Sequence, residues 1–531
     1  LKSKVLISDA ISEEGIEELK TGANVDVFVD LNKDELIEKI GEYDALVVRS
    51  ATKVTKEVID AGKNLKVIGR AGAGVDNIDV ISATEKGIVV VNAPEGNTIS
   101  AAEHTIAMMM SLSRNIPQAN ASLKSERWDK INHIGVEVTD KVLGVLGLGR
   151  IGSEVVKRAQ GLGMSVIAYD PFISEESSKE LGIELLSLEK IFSRADYITI
   201  HTPKTRETYH LIGEEEFGKM KDGVRIINCA RGGIIDEDAL YKAVVNGKVA
   251  GAALDVFETE PPNDNKLLEL DRVIVTPHLG ASTREAQLNV AITIADQIIR
   301  AIKNEPVKNA INMFSVKPEV YDKLKPYVSL AEKMGSLCAQ LITGHINSVD
   351  ICFHGDLAEK ETGIITIAML KGLLDPILGS NINFVNAPIV AKNRGIKVIE
   401  SRTDMAENFI NLISISVHTD KETKTVAGTL FGKDDPRIVK IDGYRVDAVP
   451  SGYMLISRYI DKPKVIGPVG VLLGENDINI AGMQVGRESV GGEAIMVFNV
   501  DGPVSEEVRK SVEKVDGILS VKAVRLYGTL R

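Results

Sequence analysis

Three short polar segments in the middle of the chain hold residue types that could grip an anion and move a proton. They are Asn228-Cys229-Ala230-Arg231-Gly232-Gly233, Asp255-Val256-Phe257-Glu258-Thr259-Glu260-Pro261-Pro262 and Thr276-Pro277-His278-Leu279-Gly280-Ala281-Ser282. Each follows an apolar, strand-like run, which places it at a strand's carboxyl end, the edge where open α/β sheets bind ligands. The planar fork of Arg231 suits a carboxylate and stays charged. His278 suits acid–base work because an unperturbed imidazole titrates near ~6.5. A carboxylate at Glu260 would orient that ring and favour its protonated form. Taken singly, each residue also fits a surface ion pair, an ordinary polar loop or a solvated turn. Their placement at successive strand ends favours one site, suited to oxidising a 2-hydroxy acid.

Such an oxidation needs an electron acceptor, and residues 142–170 are patterned to hold one. The run Val142 to Leu146 leads into Gly147-x-Gly149-x-x-Gly152 and a helix-patterned segment, then a second apolar run ending at Asp170. Gly147 permits the tight turn, and Gly149 lets the backbone approach a pyrophosphate. Gly152 allows close packing, with the helix N-terminus aimed at the phosphates. A carboxylate at Asp170 accepts both hydroxyls of an adenosine ribose and repels a 2′-phosphate, so the expected cofactor is NAD rather than NADP. A lone glycine pattern is weak; here both strands and the acid stand in register.

The elements that must carry these residues are legible as runs. At 531 residues the chain is too long for one core. Lys+Arg 63 against Asp+Glu 75 gives −12, which argues against a nucleic-acid or anionic-membrane surface. Cys229, Cys338 and Cys352 are scattered, without metal-ligand or disulfide spacing, and no metal site is expected. No apolar run reaches membrane-spanning length, and Leu1-Lys2-Ser3 leads straight into a strand pattern, so a cytoplasmic protein is expected.

The expected fold is α/β: two doubly wound parallel-sheet domains, Rossmann-type and flavodoxin-like, then an α+β intervening domain and a ferredoxin-like domain. The expected boundaries are 1–97 (completed by about 279–308), 98–278, 312–448 and 452–531. Residues 98–115 read as a long, mostly apolar helix in which Met108, Met109 and Met110 serve as core packing. Between 312 and 448, SVDICFH, GIITIAML, IKVIES, LISISVHT and RIVKIDG all read as strand-like runs. The final segment reads β-α-β-β-α-β, and the cleft between the first two sheets is the expected ligand site.

The segments VLGLGRIG, INCARGGIIDEDAL, DVFETEPP and TPHLGAST resemble the D-isomer-specific 2-hydroxyacid dehydrogenases. The four-part layout over residues 1–531 resembles that family's long, phosphoglycerate-oxidising branch, which carries intervening and C-terminal ACT domains. The resemblance implies that Arg231 binds substrate, that Glu260 pairs with the histidine and that His278 is the acid–base group. It places Gly147, Gly149, Arg150, Ile151, Gly152, Asp170, Thr202, Cys229, Asp255, Gly280 and Ala281 at the NAD site. It puts Arg49, Arg70 and Asn97 on the substrate side, with the two arginines toward a phosphate. Cys229 then lies beside the cofactor as a buried, inert thiol, while Lys53 and Lys130 read as solvated side chains.

In the C-terminal segment, Tyr459-Ile460-Asp461-Lys462-Pro463 and Asn476-Asp477-Ile478-Asn479-Ile480 resemble the ACT type, with Asp461 and Asn479 at effector positions. The glycine usual after the proline is Lys464 here. The resemblance further implies 3-phosphoglycerate as substrate, L-serine as effector and a homodimer or homotetramer. A glyoxylate or hydroxypyruvate reductase and a non-enzymatic NAD-sensing scaffold remain as alternatives.

Overall fold

Short apolar runs alternating with helices become two parallel sheets in a computed structural model, which describes residues 2–303, 305–314, 318–379 and 381–526. The first sheet contains β1 (Lys4–Ile7), β2 (Asn24–Val27), β3 (Ala45–Val48), β4 (Val67–Arg70) and β5 (Val89–Asn92). Its order is β2-β1-β3-β4-β5, all parallel, the flavodoxin-like arrangement. Its central strands are apolar at successive positions because helices cover both faces. One cover comes from far along the chain: Val290, Ile294 and Ile298 of the helix Arg284–Ile302 share a core with Val5, Val67 and Val91. Gly69 makes room for it, since a Cβ there would stand 2.6 Å from Ile298 Cδ1.

The second sheet contains β6 (Val142–Leu146), β7 (Ser165–Tyr169), β8 (Glu184–Leu185), β9 (Tyr197–Ile200), β10 (Val224–Asn228), β11 (Val249–Leu254) and β12 (Val273–Val275). The order β12-β11-β10-β9-β6-β7-β8 reverses direction between β6 and β9, the Rossmann-type switch point. The helix Thr98–Arg114 lies on this sheet, and its Met108 and Met109 pack against Leu143, Val145, Ile227 and Ala253. The chain therefore crosses between the two units twice, just before Thr98 and again through 279–283.

Beyond the second crossing, β13 (Ile346–Gly355), β14 (Lys397–Thr403), β15 (Asn411–Thr419), β16 (Thr423–Phe431), β17 (Asp435–Ile441) and β18 (Tyr444–Ala448) form a mixed sheet, ordered β14-β13-β15-β16-β17-β18. One expectation fails here. GIITIAML is not a strand but the first half of the helix Gly363–Leu378. Its residues are buried almost throughout because they share one core with the sheet and the helix Pro318–Leu341. A short, uniformly apolar run carries no period by which strand and buried helix can be told apart. The two helices approach closely through glycines: a Cβ on Gly335 would stand 2.1 Å from Met369 O, and one on Gly372 would stand 1.9 Å from Glu332 O.

The last sheet, β19 (Gly452–Ile460), β20 (Ile480–Arg487), β21 (Glu493–Val500) and β22 (Ile518–Leu526), is ordered β20-β21-β19-β22 with two helices on one face. Its other face is covered too. Met454, Ile456, Ile495, Val497 and Val524 share one core with Leu330, Met334 and Leu337 of the helix Pro318–Leu341. Gln340 fastens the edge, accepting from Arg525 N at 2.9 Å and donating to Arg525 O at 3.0 Å. Residues 315–317 and 380, within the expected third boundary, and 527–531, within the fourth, lie outside the described residues. No helix among the described residues is long and apolar enough to cross a membrane.

Candidate active site

Strand ends from both parallel sheets meet at a cavity of about 690 Å³. Arg49, Arg70 and Asn97 reach it from the first unit. Ile151, Thr202, Cys229, Arg231, Glu260, His278, Gly280 and Ala281 reach it from the second. Residues separated by more than 200 positions in the sequence are thus brought to one cleft.

His278 Nδ1 lies 2.9 Å from Glu260 Oε2, and the other carboxylate oxygen, Oε1, accepts from Phe257 N at 3.2 Å. That pairing leaves Nε2 as the ring nitrogen free for a substrate hydroxyl. Burial pulls the Glu260 carboxyl upward, but the hydrogen bond and charge of His278, with the Phe257 N–H, outweigh it and hold the group below its ordinary value. His278 adopts φ +54°, the left-handed region, at a cost of about 1–3 kcal/mol that surrounding structure must offset. A second histidine lines the cavity, His201, but burial drives its pKa down to about 4 and its Nε2 is 3.0 Å from Thr199 Oγ1. It is held neutral and unsuited to exchanging a proton.

Arg231 reaches across the cleft, donating from Nε to Asp76 Oδ2 of the first unit at 3.1 Å and from Nη1 to Ala230 O at 2.7 Å. Arg70 faces it. Burial first, then the charges of Arg231 and Arg49, lower its pKa to about 10 against the opposing pull of Asp76 and Asp9. The Arg49 segment is anchored by Asp9, which accepts from Arg49 N at 2.5 Å and Thr52 Oγ1 at 2.6 Å, and by Asn77, which donates to Arg49 O at 2.7 Å. Asp9, Asp76 and Asn77 were not singled out in the sequence. Asp9 carried a signal, since it follows β1 at the same sheet edge; Asp76 and Asn77 stand in a turn whose partners only the fold reveals.

The glycine-rich turn has the geometry a dinucleotide needs. Gly147 sits at φ +96°, and a Cβ there would stand 2.8 Å from His201 O. Gly152 presses on the turn itself, where a Cβ would stand 2.1 Å from Gly147 O. Gly149 has no atom within 4 Å of where a Cβ would be, which leaves space at the start of the helix Arg150–Gly161. Asp170 follows β7, and its carboxylate accepts from Leu148 N and Phe172 N, each at 2.8 Å. Arg150 extends toward Glu95 at 3.8 Å. Cys229 is pushed up to about 12, by burial and then by the charge of Asp255, and is no nucleophile.

Three buried polar atoms of cavity-lining residues have no hydrogen-bond partner: Arg70 Nε, Asn97 Oδ1 and Thr202 Oγ1. Buried polar groups are rarely left unpaired without cause. Together with the open space at Gly149, they fit a cleft that takes a dinucleotide and a polar substrate. Of the expected cofactor residues, Gly147, Gly149, Arg150, Gly152 and Asp170 do not line this cavity, and neither does Asp255. Its side chain is fully buried and bonded into the loop that carries His278.

The residues expected to bind an effector do not line this cleft. Asp461 Oδ2 accepts from Arg487 Nη1 at 3.0 Å, and Asn479 Nδ2 donates to Asp501 Oδ2 at 2.6 Å. Lys464 takes φ +68°, so the turn keeps the left-handed backbone that a glycine would adopt freely.

Residues 106–280 match the D-isomer specific 2-hydroxyacid dehydrogenase, NAD binding domain family. Residues 323–442 match the D-3-phosphoglycerate dehydrogenase intervening domain, and residues 453–517 match the ACT domain. The chain is 50% identical to the D-3-phosphoglycerate dehydrogenase of Archaeoglobus fulgidus, over 98% of this chain and 100% of that one. It is 49% identical to the enzyme of that name from Methanocaldococcus jannaschii, over the same shares. Among solved structures, D-lactate dehydrogenase from Aquifex aeolicus, complexed with NAD and lactic acid, superposes with a TM-score of 0.52 at 31% identity, covering 57% of this chain and 96% of that one. This chain belongs to the D-3-phosphoglycerate dehydrogenase family.

Proposed function

We infer that this protein oxidises 3-phospho-D-glycerate to 3-phosphohydroxypyruvate with NAD, the entry reaction of phosphorylated serine synthesis. The observation that carries the reading is the joint presence, in one cleft, of the Glu260–His278 pair and of Arg231, Arg70 and Arg49. When bound, NAD accepts the hydride from C2. Arg231 holds the substrate carboxylate and draws electron density toward the forming carbonyl oxygen. His278 Nε2 takes the hydroxyl proton, and Glu260 stabilises the imidazolium that results. Arg70, with Arg49, takes the phosphate, and Asn97 completes the substrate's hydrogen bonds. Asp170 receives the ribose hydroxyls, while the Gly147–Gly152 turn, Arg150 and Ile151 take the pyrophosphate. Thr202, Cys229, Gly280 and Ala281 border the nicotinamide end. Asp255 acts beneath that end rather than on its surface.

L-serine fits as a feedback effector held by the C-terminal unit. Beside Asp461 lies the Tyr459 hydroxyl, buried and without a hydrogen-bond partner, and such an arrangement suits a small ligand bearing an amino group and a hydroxyl. The protein works as a homodimer or homotetramer in the cytoplasm. Trp128, Ile131 and Ile134 are 75–80% exposed within one short stretch, an apolar patch that a second copy would cover.

The test is NADH appearance with 3-phosphoglycerate and NAD, beside D-glycerate under the same conditions and glyoxylate in the reductive direction. Preference for 3-phosphoglycerate supports the reading. Faster turnover of glyoxylate or glycerate contradicts it.

A further inference from the structure

Behind the loop that carries His278 lies a histidine for which this mechanism has no use. His104 belongs to the helix Thr98–Arg114, and its Nε2 stands 3.1 Å from Asp255 Oδ1 and 3.2 Å from Thr276 Oγ1. Asp255 in turn accepts from Thr276 Oγ1 at 2.5 Å, Leu279 N at 2.7 Å and Gly280 N at 2.9 Å. One turn earlier on the same helix, Ser100 Oγ donates to Gly280 O at 2.8 Å. The segment 276–280 is therefore tied to the helix at both ends, with His278 between the ties.

This buried network sits where the chain passes between the two parallel-sheet units. The helix starts directly after Asn97, and the loop runs directly into the helix Arg284–Ile302, which covers the first sheet. Apolar packing could anchor a loop at less risk, because a buried carboxylate that loses a donor is costly. What the network supplies is direction. The strained backbone of His278 persists only if its surroundings fix it from several sides.

Resting on the assignment of His278 as the acid–base group, we propose that His104 is a positioning residue for the oxidation: acting through Asp255 and Thr276, it fixes the loop that presents His278 to the substrate and binds that loop to the helix that begins at Asn97. Burial raises the Asp255 carboxyl, but the bonds from His104, Thr276 and Leu279 N outweigh it and keep the group below its ordinary value. The titratable groups facing Asp255 are His104 from the helix, Cys229 after β10 and Glu260 from the loop following β11. Loss of His104 therefore reaches Glu260, and through it His278, as charge as well as position. Glutamine can place an amide N–H where the histidine Nε2 stands; alanine cannot.

The experiment follows NADH appearance with 3-phosphoglycerate across pH for the full chain, His104→Ala and His104→Gln, with NADH affinity measured separately by fluorescence. His104→Ala is expected to lower kcat by about 10²-fold, the scale of a catalytic group displaced by an ångström. Both KM values and the NADH affinity should change little. The acid limb of the pH profile should move to higher pH, since the charge of Asp255 is less compensated. His104→Gln should restore most of kcat. A near-normal His104→Ala, a loss that His104→Gln does not repair, or a loss with an unmoved pH profile overturns the proposal. If His104→Ala does not fold, Thr276→Val removes only the hydroxyl shared by His104 and Asp255, and a near-normal kcat or an unmoved pH profile in it overturns the proposal. His278→Ala run alongside separates the two readings. An active His278→Ala removes the mechanism itself, whereas an inactive His278→Ala beside a fully active His104→Ala removes only the role of His104.

Discussion

The cleft and the C-terminal unit treat their polar groups differently. In the cleft, Arg70, Asn97 and Thr202 each keep a buried polar atom without a partner. In the C-terminal unit, Asp461 and Asn479 are already engaged, with Arg487 and Asp501. A ligand in the cleft completes bonds that the fold leaves open. An effector at Asp461 must compete with an existing ion pair or share it, although Arg458 Nε and Tyr459 Oη nearby in the chain are buried without partners. A ligand in the cleft thus meets open donors and acceptors, whereas one at Asp461 meets an ion pair already made.

The contrast can be broken most severely at the cleft. His278→Ala should lower kcat by about 10²–10⁴-fold, the range for a lost general acid–base, as read from steady-state NADH appearance. Arg231→Ala should cost about 10²–10³-fold in kcat, because a charge aimed at the developing carbonyl oxygen is removed. Asp170→Ala should weaken NAD binding and narrow the preference over NADP, measured as the ratio of kcat/KM for the two cofactors. Efficient use of NADP by the unsubstituted protein would sink that assignment.

Glu260→Gln should leave the fold intact and shift the acid limb of the pH–rate profile to lower pH. The Glu260 carboxyl lies below its ordinary value in the folded chain, so its contribution to stability is present above the unfolded value near 4.5 and is lost as pH falls through the folded one. Thermal unfolding of Glu260→Gln should accordingly show a smaller loss across that acid window than the unsubstituted chain. The smallest effect belongs to the C-terminal unit. Asp461→Ala should raise the serine concentration needed for inhibition, against a coupling of about 1–3 kcal/mol, and leave kcat untouched. A point substitution is the right tool there. Cutting the chain near residue 450 would strip Met454, Ile456 and Val497 from the helix Pro318–Leu341 and expose the core they share.

Much of the cleft was legible because its chemistry is local in the chain. The Gly147–Gly152 turn, Arg231, Glu260 and His278 each follow a strand, and strand ends at one sheet edge must converge. What stayed hidden depends on pairing across units. Asp76 meets Arg231 over a gap of 155 positions, and His104 meets Asp255 over a comparable one, neither with a periodic signature. The helix at GIITIAML was hidden for another reason: burial on all sides erases the polar face from which a helical period is read. The covered second face of the C-terminal sheet did leave a trace, since Met454-Leu455-Ile456 and Ile495-Met496-Val497-Phe498 are apolar at successive positions, but only the fold reveals that Leu330 and Met334 cover it.

On this reading the open polar groups at Arg70 and Asn97 are completed by a phosphorylated hydroxy acid. The direct measurement is the ratio of kcat/KM for 3-phosphoglycerate to that for D-glycerate, in the unsubstituted chain and in Arg70→Ala. The ratio should collapse in Arg70→Ala, with the unphosphorylated substrate little affected. An unchanged ratio, with both substrates losing equally, would contradict it.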